Sequence, residues 1–130
     1  MITTIILDGH RIHDIPSFYQ EVNRSFMHGE DWKLAESLDA LDDMLYGAYG
    51  AIKGSDAVRI IWKNFQGNLK DLGVGPTRRH YVSKLEHPQL FNVGFIKKQL
   101  DDLDKGRGKT YFEIILELIA GHPNIELIEA

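Results

Sequence analysis

The sequence predicts an α/β fold, a small three-stranded parallel sheet with helices packed on it, formed as one domain over residues 1–130. Three observations lead there. Compact apolar, β-branched runs stand near the beginning, middle and end of the chain, at residues 2–7, 57–62 and 125–128. Between them lie segments whose apolar residues recur every three or four positions, the helical period. Strands separated by helical crossovers return to the same end of a sheet, so they pair in parallel.

The first run, Ile2-Thr3-Thr4-Ile5-Ile6-Leu7, ends at the turn-forming Asp8-Gly9. Asp14-Ile15-Pro16-Ser17 opens a helix with an acidic cap and an early proline, and Phe18, Val22 and Phe26 form its apolar face. A second helix is expected from Leu34 to Tyr46, with Gly47 and Gly50 as its stop. Ala57-Val58-Arg59-Ile60-Ile61-Trp62 reads as a buried strand, and Asn64–Leu72 as a short helix weakened by Gly67. Thr110–Ile119 is the most apolar helix. It leads through Gly121-His122-Pro123-Asn124 into the last strand, Ile125–Ile128. No repeat or low-complexity tract divides the chain.

Composition narrows the function. The chain has 130 residues, 43% of them hydrophobic, which is enough for a real core, and no apolar run approaches the length of a membrane span. The start of the chain lacks a basic n-region and reads as a strand, so a cytoplasmic protein is expected. With no cysteine there is no disulfide, no thiolate nucleophile and no zinc knuckle. A net charge of -4, from 19 acidic residues against 15 Lys and Arg, argues against a nucleic-acid backbone as ligand and for a basic protein partner.

The most informative segment is Leu38-Asp39-Ala40-Leu41-Asp42-Asp43-Met44-Leu45. At about 100° per residue, Leu34, Leu38, Leu41 and Leu45 share one face, while Asp39, Asp42 and Asp43 gather on another. Like charges three and four positions apart cost a helix about 0.2 to 0.5 kcal/mol per pair. Ser37 is placed to cap the helix, which puts Asp39 in the first turn, where the macrodipole favours it. Asp42 and Asp43 lie deeper and gain less. Such a face is either solvated or built to meet a cationic partner.

The strand running into Asp8-Gly9, a helix beginning Ile15-Pro16-Ser17-Phe18, the string Leu38-Asp39-Ala40-Leu41-x-Asp43-x-Leu45 and a terminal helix-Gly-strand together resemble barstar-type ribonuclease inhibitors. The resemblance covers roughly residues 1–64 and 109–130. It implies a small cytoplasmic α/β protein that neutralises a bacterial ribonuclease, as an immunity or antitoxin protein, by laying its second helix and preceding loop across the active site. By the same resemblance Asp39 and Asp43 face the enzyme, with Asp43 in the place of a substrate phosphate. Asp42, Glu36, Trp32 and Tyr46 belong to the same expected contact surface, and Glu117 stands for the acid on the family's last helix. A carboxylate on a rigid helix can replace a phosphate among Arg, Lys and His through charge-assisted hydrogen bonds.

This chain departs from the family pattern in three places. Asp42 stands where the family often has tryptophan, and Trp32-Lys33-Leu34-Ala35 stands where it has an aromatic pair and glycine. Trp32 either replaces the aromatic anchor or covers the core edge. An insertion at about residues 73–108 carries the basic cluster Arg78-Arg79-His80 and a helix with Ile96, Leu100 and Leu103 on one face. Its expected role is to cover one side of the sheet, or to widen a partner or self-association surface.

An enzyme reading has less to stand on. Gly106-Arg107-Gly108-Lys109-Thr110 lacks the first glycine of a phosphate-binding loop, since Leu103 occupies that position. Among the histidines only His10-Arg11-Ile12-His13 comes near ligand spacing, and no metal site or cofactor is expected. Asp39 and Asp43 could in principle serve a metal-dependent hydrolase or nuclease. No nucleophile motif accompanies them. A regulatory domain that binds another basic protein is the remaining alternative.

Overall fold

The computed structural model describes residues 2–130. The chain runs through β1 (Ile2–Asp8), α1 (Ile15–Phe26), α2 (Leu38–Leu45), β2 (Ala57–Lys63), α3 (Phe65–Asp71), α4 (Val74–Leu85), α5 (Val93–Asp104), α6 (Tyr111–Ala120) and β3 (Ile125–Glu129). The strands form one parallel sheet in the order β1-β2-β3, with Ile5, Ile60 and Leu127 in register. The expected three-stranded parallel α/β fold is what forms.

The N-terminal third follows from local chemistry. Asp8 ends β1 by accepting the backbone N–H of His10. Gly9 is needed there because a side chain would run into the Lys63 carbonyl and the Asn68 amide. Asp14 and Ser17 form a reciprocal capping box for α1, with a proline in the first turn. The inward face of α1 buries Phe18, Val22 and Phe26. On the same helix Glu21 is also buried, its charge held by Arg24 in a two-pronged pair at 2.6 and 2.5 Å and by the Asp8 N–H at 2.7 Å. That arrangement meets the requirement that a buried charge be paired and hydrogen-bonded.

Trp62 lies at the centre of the core, packed against Phe18, Phe65 and Phe112. Its indole N–H donates to Asn68 at 2.7 Å, and the Asn68 amide donates in turn to the carbonyls of Gly9 and Ile12. One buried asparagine therefore ties α3 to β2 and to the turn after β1.

Two helical expectations change. The second helix starts at Leu38, not Leu34, because Ser37 caps it by accepting the Ala40 N–H. Leu34 is buried all the same, from an irregular loop held to Asn23, whose amide oxygen accepts its N–H at 2.7 Å and whose amide nitrogen donates to its carbonyl. α4 was not anticipated as a helix. Its fully buried residues are Tyr81, which faces α5, and Thr77, whose hydroxyl accepts the Tyr111 N–H at 2.8 Å. A helix whose inward positions mix a hydroxyl and an imidazole with apolar side chains leaves little apolar periodicity to read.

α5 does place Ile96 and Leu103 inward, with Leu100 beside them, and they form a small separate core with Tyr81 and Leu85. This segment therefore packs α5 mainly on α4 rather than on the sheet, so the expectation that it covers one side of the sheet does not hold. Among the described residues no helix is long and apolar enough to cross a membrane.

Candidate functional site

α2 has eight residues and a buried underside. Leu41, Met44 and Leu45 enter the core, and the Ser37 cap sets where the helix begins. That anchoring fixes the outward direction of Asp39 and Asp43, which stand one turn apart and exposed. Neither carboxylate makes a hydrogen bond or ion pair with another described side chain. Asp39 lies in the first turn, in favour with the helix dipole. Asp43 lies in the last turn, where the dipole opposes it and Asp39 repels it. The fold holds Asp43 against two unfavourable terms and offers it no compensating partner.

Asp42, expected beside them on the contact surface, is turned to a flank. Its carboxylate meets His122 Nε2 at 2.7 Å, with the imidazole buried and about a third of the Asp42 side chain still exposed. This bond joins α2 to the turn between α6 and β3. Tyr46, the C-terminal cap of α2, is 73% exposed and stands edge-on to the same imidazole, with ring centres 4.4 Å apart.

On the other flank, Trp32 packs edge-on against Tyr49 at 4.7 Å and remains 43% exposed. The Tyr49 hydroxyl donates to the Ala40 carbonyl of α2 at 2.8 Å. Burial, and then the Asp43 charge, push the Tyr49 hydroxyl pKa up. Trp32 is thus linked to the acidic helix through Tyr49, which makes an aromatic shelf beside Asp43.

Glu36 is exposed just before the cap and borders a cleft of about 290 Å³ with Asp14, Arg79, His80 and Ser83. His80 is pushed down to about 4, mainly by burial and secondarily by Lys84, so it is neutral at pH 7. Beneath it, the Tyr19 and Tyr111 hydroxyls share a buried 2.5 Å hydrogen bond. Burial lifts Tyr19 to about 12 and raises Tyr111 as well. Glu117, on α6, is engaged at the surface by Lys109 at 2.8 Å rather than standing bare like Asp39 and Asp43.

The structure therefore brings Asp39, Asp43, Trp32 and Tyr46 around one short helix, with Glu36 at its entry. Two residues of this neighbourhood escaped the sequence reading. Tyr49 sits in a glycine-rich turn, where Gly47 and Gly50 both have φ of +86°, and the tyrosine between them was the available signal. His122 lies 80 positions from Asp42, and nothing local announces the pairing. Among the described residues, no group of three or more His, Asp or Glu is arranged to hold a metal ion.

A three-stranded parallel sheet carrying a short, outward-facing acidic helix places the molecule among small α/β proteins of the barstar type. The sequence model of the family described as Barstar (barnase inhibitor) matches residues 2–86, about two thirds of the chain, and the chain belongs to this family. The match runs through α3 and α4, past the boundary at residue 73 drawn from the motifs, and does not extend to residues 109–130. No curated protein and no solved structure gives a significant match.

Proposed function

We propose that this chain inhibits a barnase-type ribonuclease by seating α2 in the enzyme's active site, and that it serves the bacterial cytoplasm as an immunity or antitoxin protein without catalytic activity of its own. One observation carries the reading: Asp43 is exposed, unpaired and held where both the helix dipole and Asp39 disfavour it. Stability does not account for a carboxylate in that position, whereas a cationic cleft does. In such a cleft the carboxylate takes the phosphate's place among Arg, Lys and His, and Asp39 extends the match by one helical turn. Trp32 and Tyr49 supply an apolar wall on one side and Tyr46 on the other, as aromatic anchors commonly do around desolvated charges. Asp42 contributes mainly by holding α2 to His122, with Glu36 and Glu117 at the rim.

The test is a titration of the chain into a barnase-type ribonuclease during RNA hydrolysis. Loss of activity at one inhibitor per enzyme is expected. Asp43→Ala should weaken the complex at least about 30-fold, as truncation of an interface hot spot does. The barnase–barstar pair is itself among the sources of that scale. RNA hydrolysis by the chain alone with Mg²⁺, or undiminished inhibition by Asp43→Ala, would overturn the proposal.

A further inference from the structure

The last turn of α2 is gripped from outside the helix. α2 carries no basic residue in that turn, and its C-terminal cap, Tyr46, is mostly exposed. The group that reaches both is His122, in the turn between α6 and β3, with its side chain 4% exposed. The turn itself is fixed at both ends. The His122 N–H donates to the Ile119 carbonyl of α6 at 3.1 Å, and the His122 carbonyl accepts the Ile125 N–H at 3.0 Å, where β3 pairs with β2. From this anchored position the ring touches Asp42 through Nε2 and Tyr46 through its edge. An ionised carboxylate only accepts, so Nε2–H is the donor. Asp42 and Tyr46 lie four positions apart, one above the other on the helix surface, which is why one imidazole meets both.

These contacts add little to the underside of α2, which Leu41, Met44 and Leu45 already hold in the core. Their effect falls on the outward side. Asp42 stands three positions from Asp39 and next to Asp43, and the imidazole draws it to the flank, so that Asp39 and Asp43 remain the bare carboxylates. Tyr46 has His122 as its one ring contact among the described residues. An exposed tyrosine that already rests in one orientation loses less freedom when a partner covers it, and a complex gains affinity from that preorganisation.

We propose that His122 is a positioning residue for the inhibitory surface: through Asp42 and Tyr46 it orients the last turn of α2, so that Asp43 and Tyr46 meet the enzyme together. This rests on the reading that α2 seats in a ribonuclease active site. His122 is too deeply buried to touch the enzyme itself and acts only through its two neighbours.

Inhibition constants of the full chain and its variants against a barnase-type ribonuclease test this, with thermal midpoints separating loss of folded protein from loss of affinity. His122→Leu should weaken inhibition about tenfold, since it removes both the hydrogen bond and the ring contact. In an Asp42→Ala/Tyr46→Ala background, where both contacts are already gone, adding His122→Leu should change affinity less than about twofold. His122→Gln keeps an N–H donor for Asp42 and loses the ring. It should cost only about threefold, and that cost should vanish beside Tyr46→Ala, which decides the matter if His122→Leu folds poorly. Undiminished inhibition by the His122 variants, or a loss carried in full into the Asp42→Ala/Tyr46→Ala background, would overturn this proposal and leave the inhibitor reading standing. A wild-type chain that does not inhibit would overturn both.

Discussion

At the scale of single residues, α2 separates stability from recognition along one helix. Asp43 faces water near the negative end of the dipole and four residues from Asp39, so neutralising it relieves two repulsions. Asp43→Asn should therefore leave stability unchanged or raise it by about 0.5 kcal/mol in urea unfolding, while reducing affinity for the ribonuclease. Leu41 is 3% exposed on the underside. Leu41→Ala removes buried methyl groups and leaves a cavity, and should cost about 2 to 5 kcal/mol in the same measurement. The two variants differ because one side chain contacts solvent and the other contacts the core, although they lie only two positions apart.

At the scale of elements, the decisive features are where α2 begins and what holds α4. Ser37 accepts the Ala40 N–H and stops the helix from continuing back to Leu34. Ser37→Ala should cost about 1 kcal/mol of stability and, by fraying the turn that carries Asp39, weaken inhibition as well. α4 is held through His80, whose ring lies against Tyr111, and through Thr77. Burial keeps the folded His80 pKa near 4 against an ordinary 6.5. Above about pH 6.5 the imidazole is neutral in both states and the stability it permits is fully present. As pH falls from 6.5 towards 4, the unfolded chain takes up a proton that the folded chain refuses, so stability is lost through that window and levels off below it. The ring is only partly buried, so the loss is about 1 to 2 kcal/mol after solvent screening. His80→Gln should flatten the difference between urea midpoints measured at pH 7 and pH 5.

Legibility divides at the same scale. β1, α1, β2 and α6 each carry a full periodic pattern with its own start or stop signal, and they form within a residue or two of the expected bounds. α4 lacks such a pattern because its inward positions, Thr77, His80, Tyr81 and Leu85, mix polar with apolar side chains and face two different neighbours, α6 and α5. At the site, the exposure of Asp39 and Asp43 follows from helical geometry once Leu41 and Leu45 are taken as core. The diversion of Asp42 to His122 does not, because it depends on where β3 returns to the sheet.

At the scale of the whole molecule, charge governs how a partner is met. The -4 charge of the chain and the bare α2 carboxylates should steer a basic enzyme during diffusion. With a Debye length of about 10 Å at 0.1 M salt, raising salt from about 0.05 to 0.5 M should lower the association rate constant at least tenfold, and the dissociation rate much less. Stopped-flow mixing with the ribonuclease measures both. The sequence by itself determined the parallel α/β architecture and the two-sided character of α2, because strand and helix periods and the Ser37 cap are local properties of the chain. Only the tertiary structure decided that Asp42 is diverted to His122, that Tyr49 connects Trp32 to α2, and that Ile6, Ile61 and Ile128 form one row. Each of those depends on residues far apart in sequence being brought together by strand register and helix packing, which no local pattern encodes.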